Sequence, residues 1–228
     1  MTLIEIELQK LKTEVILLWQ TVINQLVNSK TALVNFDKNL AREVVQTEKW
    51  VNKYELRIDR DCENIFALHS PVAVDLRYLL AILKINNNLE RIGDIAKGLA
   101  KFVISSDKQV DAEILEVTDV LKMYDEGIKM VEDTLNAFEN EDSALVRTIF
   151  KMDKVIDMVN QNAHNIVVDY ILKHPEKTSE TLYILSSIRK LERVGDQTKN
   201  IAEEIIFYVE AKVLRHKKKK KRELKEKE

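Results

Sequence analysis

Apolar residues recur at three- and four-residue intervals along nearly the whole chain, and short polar interruptions separate the periodic stretches. The run Ile85, Leu89, Ile92, Ala96, Leu99 and Val103 steps by four and three, which lays one stripe along a helix and predicts that this face meets a core. Interruptions fall at Asn35 to Asp37, Ser70-Pro71, Ser105-Ser106-Asp107, Asn140 to Asp142 and His174-Pro175. Asp37, Ser70, Asp107 and Asp142 are candidate N-caps or turn formers, and each proline discourages helix at the residue before it while suiting a first turn after it. The pattern predicts six helices at roughly 3–34, 37–69, 72–104, 109–139, 142–173 and 177–215. Short connections between long helices imply antiparallel neighbours. The expected fold is all-α, with two tandem up-down-up three-helix bundles over residues 1–106 and 107–214 and a basic tail at 215–228. The start of the third helix, Leu76, Leu79, Leu80, Ile82 and Leu83, is apolar almost all round, which predicts cover by a neighbouring helix or by the other half.

The two halves are copies. Leu89-Glu90-Arg91-Ile92-Gly93-Asp94 returns, with one apolar exchange, as Leu191-Glu192-Arg193-Val194-Gly195-Asp196. Ile82-Leu83 and Ile184-Leu185 precede the two blocks at the same offset, and Lys97, Leu99 and Ala100 match Lys199, Ile201 and Ala202 after them. An internal duplication explains this, so whatever the unit does it does twice.

Composition supports the helical reading and narrows the classes. Only 4 Gly and 2 Pro are present, too little punctuation for a sheet protein. The single Cys62 excludes an internal disulfide framework or a cysteine-rich zinc module, fits a reducing cytoplasm and is expected to pack in the core. No basic start with a small-residue cleavage site is present, and the longest uncharged stretch, Val15 to Ser29, is shorter than the roughly 20 residues of a spanning helix. A cytoplasmic protein is therefore expected. A net charge of -2 argues against a general nucleic-acid binder. The lysine-rich tail is a solvated terminus or a weak attraction to anionic lipid. No Gly-rich phosphate loop, Walker signature or nucleophile elbow occurs.

The repeated block carries the candidate chemistry. Two acids at i and i+4 on a helix repel by a few tenths of a kcal/mol, and a cation between them turns that repulsion into a gain. Second pairs stand on the preceding helices, Glu55 with Asp59 and Asp153 with Asp157, with Asp59 and Asp157 read as comparable positions. Spacing alone is weak evidence, because about six such pairs are expected by chance in a chain this acidic. Gly93 and Gly195 are stronger, since a mid-helix glycine costs about 1 kcal/mol relative to Ala and needs a reason such as a close approach. Two readings stay open, a metal site or a solvated acidic ridge neutralised by Arg91, Lys97, Arg193 and Lys199.

With these blocks, and with Ser70-Pro71-Val72-Ala73-Val74-Asp75-Leu76-Arg77 and Ile58-Asp59-Arg60-Asp61-Cys62, the chain resembles the PhoU family over nearly its whole length. The resemblance implies two surface multinuclear metal clusters, one per repeat, on Glu55/Asp59 with Glu90/Asp94 and on Asp153/Asp157 with Glu192/Asp196. Iron is the metal it implies first, with Mn, Mg, Ca or Zn as alternatives; oxygen-only ligands suit Mg, Mn, Ca and Fe better than Zn. It further implies a non-catalytic cytoplasmic adaptor that restrains the phosphate-starvation response. Its partners would be the ATPase subunit of the phosphate ABC transporter and a sensor histidine kinase, with a homodimer and peripheral membrane association as further options. The segment Glu176 to Thr181 departs from the pattern by lacking the Asp-Leu-Arg found at Asp75 to Arg77. Rival readings are a metal-dependent phosphoester hydrolase and a helical accessory of a different phosphate permease.

Other residues have plainer expected roles. Di-iron oxidase chemistry needs Glu-x-x-His pairs, and no histidine here has a Glu three residues before it. His164 is read as an ordinary polar residue matched by Phe66 in the first half. Trp19 and Trp50 are expected to pack, His69 and His174 to sit at helix ends, and Asp75 with Arg77 to form a local charge pair.

Overall fold

The computed structural model describes residues 2–214; the tail proposed at 215–228 lies outside the described residues. Its helices are α1 (Leu3–Asn35), α2 (Lys38–His69), α3 (Ala73–Ser105), α4 (Ala112–Val117), α5 (Val120–Asn140), α6 (Ser143–Lys173) and α7 (Thr178–Glu210), with a 3-10 turn at Pro175–Lys177. Among the described residues there is no strand, so the fold is all-α as expected.

Side-chain caps set several starts. Asp37 accepts from the amides of Asn39 and Leu40, and Asp142 from those of Ala144 and Leu145, each satisfying donors that a helix leaves open. Thr2 and Glu5 form a reciprocal capping box on α1. The other two candidates form turns rather than caps. Ser70 is the left-handed residue that ends α2, at φ 45°, and Asp111 rather than Asp107 caps α4. The fourth expected helix is broken. The Thr118 hydroxyl donates to the Ile114 carbonyl at 2.6 Å and Asp119 turns left-handed at φ 55°, which separates α4 from α5. The last helix ends at Glu210, where left-handed Ala211 stops it short of 215.

Helices α1, α2 and α3 pack on one another, as do α5, α6 and α7, and α3 lies against α7. Lys84 meets Glu204 at 3.0 Å and Asn88 meets Asn200 at 3.4 Å, so α3 and α7 run antiparallel and their repeated blocks cross. The predicted stripe from Ile85 to Val103 is buried. Trp19 on α1 is fully buried, donates its indole N–H to the Val131 carbonyl at 3.1 Å and packs tilted against the Phe138 ring of α5, so a single core joins both halves. Cys62 is buried as expected.

Three packing expectations are corrected. Leu79 and Ile82 are covered, and Tyr78 packs on Tyr208 of the other half, but Leu76 and Leu80 stay about two-fifths exposed. Trp50 is 59% exposed, under the Lys53 ammonium at 5.1 Å. Among the described residues no ion pair joins Asp75 to Arg77; the Arg77 Nε is buried without a partner. No helix of the described residues is long and apolar enough to cross a membrane.

Candidate metal centres

Glu90 and Asp94 stand one turn apart on the outer side of α3, opposite the buried stripe, as the 3.6-residue period requires. Facing them from α2 is Glu48, which has no acid four residues away in the sequence to mark it. Glu48, Glu90 and Asp94 each place a carboxylate oxygen within 4.8 Å of the others. Glu48 is only 3% exposed, and its Oε1 is buried without a hydrogen-bond partner. Gln25 of α1 donates to Glu48 Oε2 at 3.4 Å and to the Val44 carbonyl at 3.2 Å, while its own Oε1 is also buried and unpartnered.

Electrostatics follow from this crowding. Burial pushes the Glu48 carboxyl up to about 7, against the pull of Gln25 and Lys97. Burial first, then Asp94 and Glu55, raises Glu90; burial and Asp59 raise Glu55. Asp94 goes the other way, held below the usual carboxylate range by its 2.8 Å hydrogen bond from Lys97. Asp59 is held by Asn86 of α3, whose amide donates to Asp59 Oδ1 at 2.8 Å and to the Glu55 carbonyl at 2.9 Å. The four predicted first-half residues thus form one electrostatic chain, and Glu48 is its buried end.

In the second half Asp153 of α6 is 5% exposed and takes the place of Glu48. Lys199 bridges it to Asp196, at 2.6 Å and 2.7 Å. Burial nonetheless raises the Asp153 carboxyl. Burial, then Asp196 and Asp157, raises Glu192, so all four predicted acids lie in one electrostatic neighbourhood. Burial alone would lower the Lys199 ammonium, but the bonds to Asp153 and Asp196 outweigh it and hold its pKa above the ordinary value.

The glycines are explained by these buried acids. A Cβ on Gly93 would meet Gln25 Oε1 at 3.0 Å, Val51 at 3.2 Å and Glu48 Oε2 at 3.3 Å. A Cβ on Gly195 would meet Asp153 Oδ1 at 2.9 Å and Ile156 at 3.4 Å. Close approach of side chains, rather than of a backbone, is what the missing Cβ permits: first the Gln25 amide oxygen at Gly93, and the Asp153 carboxylate at Gly195.

These contacts also correct the alignment of the halves. Gly93 touches Glu48 and Val51 where Gly195 touches Asp153 and Ile156, and the caps Asp37 and Asp142 keep the same offset. Asp157 therefore corresponds to Asn52, Glu55 to Asn160, and Asp59 to His164. The expected equivalences of Asp59 with Asp157 and of Phe66 with His164 do not hold.

A family model for the PhoU domain matches residues 15–103 and again residues 120–205. The chain belongs to the PhoU family. It is 32% identical over 210 residues to the phosphate-specific transport system accessory protein PhoU of Escherichia coli (strain K12), covering 92% of this chain and 86% of that protein. It is 32% identical over 204 residues to a Thermotoga maritima protein named phosphate-specific transport system accessory protein PhoU homolog 1, covering 89% of this chain and 87% of the relative. Among solved structures, PhoU from Pseudomonas aeruginosa superposes with a TM-score of 0.85 at 30% identity, covering 91% of this chain and 99% of that one. The two family-domain matches fall on the two halves that the repeated Glu-Arg-x-Gly-Asp block defines.

Proposed function

We propose that this chain regulates phosphate uptake and phosphate-starvation signalling in the cytoplasm, as an adaptor between the ATPase subunit of a phosphate ABC transporter and a sensor histidine kinase. Relatives across nine-tenths of its length are named as accessory proteins of phosphate-specific transport, which supports the phosphate assignment. In this reading each unit, 1–106 and 107–214, carries one acidic centre that holds metal ions. Glu48, Glu55, Asp59, Glu90 and Asp94 would serve the first, and Asp153, Asp157, Glu192 and Asp196 the second.

The observation that carries the metal reading is the buried Glu48 carboxylate, with one oxygen unpartnered beside Glu90 and Asp94. Burying a carboxylate oxygen that receives no hydrogen bond is costly, and a divalent cation offsets the cost while keeping all three groups ionised. The donor set is all oxygen, which suits Fe, Mn, Mg or Ca. Bound metal would supply positive charge at an acidic surface and so alter which partner surface is complementary.

Affinity capture with the transporter ATPase tests the adaptor reading. Native protein is expected to retain the ATPase, and metal-free protein or Glu90→Ala/Asp94→Ala to retain markedly less. Equal capture by all three would remove the centres from any docking role.

A further inference from the structure

Where the two repeated blocks cross, α3 and α7 enclose a groove of about 210 Å³ lined by Arg91, Asp94, Ile95, Lys190 and Arg193. We propose that this groove binds a small tetrahedral oxyanion of the phosphate class through Arg91, Lys190 and Arg193. Gathering three cations in one groove raises their mutual repulsion, which an anion relieves. Among the described residues none of the three side chains has an ion pair or hydrogen bond; the Arg91 guanidinium feels the neighbouring Glu90 through space. Two guanidinium groups offer planar forks that match oxyanion edges, and the ammonium adds a third donor head.

The groove is also shaped for the lysine. Lys190 lies across α3 at Gly98, where a built Cβ would come within 2.9 Å of its Nζ, 3.7 Å of Cε and 3.9 Å of Cδ. Any side chain at position 98 pushes that ammonium away. The acid in the lining, Asp94, is already bonded to Lys97 at 2.8 Å, which offsets its repulsion of an anion. Because Arg91 and Arg193 are the same position in the two copies, duplication itself brings the two forks together. The inference stands on this groove and does not need metal in the acidic centres.

Titration of chelator-treated full-length protein with inorganic phosphate, by calorimetry at fixed ionic strength, tests it. One saturable site is expected, weakening as salt rises. Affinity should fall by about tenfold or more in Arg193→Gln and in Lys190→Gln. Gly98→Ala should also weaken phosphate binding while leaving the melting temperature unchanged or higher, because alanine suits a helix and only the lysine head must move. Absence of saturation, equal affinity in native protein and these variants, or binding confined to phosphatidylglycerol vesicles with none to free phosphate would each overturn the proposal.

Discussion

The two acidic centres are built from one duplicated block, yet they answer the same electrostatic problem differently. In the second, Lys199 sits between Asp153 and Asp196 and neutralises both. In the first, the equivalent Lys97 bonds Asp94 but stands 4.0 Å from Glu48 Oε1, a buried oxygen that receives no hydrogen bond. The longer Glu48 is also held from behind by Gln25 of α1, whereas the nearest neighbours of a Cβ on Gly195 are Asp153 and Ile156 of α6. A protein ammonium thus sits in hydrogen-bond contact with both acids of the second centre, while in the first it bonds only Asp94 and reaches Glu48 as a longer ion pair. On this account the first centre binds an added cation more tightly, because there metal need not displace a paired lysine.

The largest expected effect separates the centres outright. Glu90→Ala/Asp94→Ala should weaken metal at the first centre by about a hundredfold or more, with the second unchanged. Isothermal titration with Mn²⁺ checks this, and losses at both centres would break the comparison.

Next in size is a pH effect larger at the first centre, where Glu48 is raised furthest. The folded chain holds the Glu48 proton up to about pH 7, whereas an unfolded chain releases it near the ordinary value of 4.5. The unfolded state therefore binds fewer protons between these values, so the stability contributed by protonated Glu48 is full below about 4.5 and is lost as pH rises through about 7. Glu48→Gln removes this dependence, and metal-free variant at pH 8 should be more stable than native by about 1–3 kcal/mol. Urea unfolding across pH 4–8 measures it, and parallel curves for the two proteins would refute it. Below pH 7 metal binding should also release a proton.

How much of this was visible in the sequence depends on how local each signal is. The caps Asp37 and Asp142 and the repeated Glu-Arg-x-Gly-Asp block act within one turn and were readable. The break at Thr118-Asp119 was not, because a threonine bonding back to Ile114 has the same pattern as one inside a continuous helix. Glu48 escaped because position 52 is Asn, so it has no acidic partner four residues on; its partners lie across the helix pair on α3. The offset between the two caps would have aligned it with Asp153. The same geometry explains Trp50, since two residues rotate a helix by about 200° and the face opposite a buried Glu48 looks outward.

A smaller effect comes from the lysines. Lys199→Gln should cost about 1–2 kcal/mol in metal-free protein, since it strands nearly buried Asp153, with part of the effect screened at exposed Asp196. Lys97→Gln should cost about 0.5 kcal/mol, because its short bond is to exposed Asp94. Thermal melts with and without Mn²⁺ should show metal rescuing Lys199→Gln more than Lys97→Gln, and equal rescue would equate the two centres.

A comparably small effect sharpens the alignment of the halves. Asn52→Asp gives the first centre the acid that Asp157 supplies to the second, and Asp157→Asn removes it there. Each exchange should change metal affinity by roughly threefold, about 0.6 kcal/mol, upward in the first and downward in the second. Competition titration against a metal-sensitive dye reads both, and changes of the same sign would show that positions 52 and 157 do not correspond.

The most direct test is equilibrium dialysis of full-length protein against limiting Mn²⁺, with bound metal measured by mass spectrometry in native protein, Glu90→Ala/Asp94→Ala and Glu192→Ala/Asp196→Ala. The account predicts two affinity classes in native protein, the tighter lost only from the first variant and the weaker only from the second. Metal absent from all three proteins, or bound equally by all three, would contradict it.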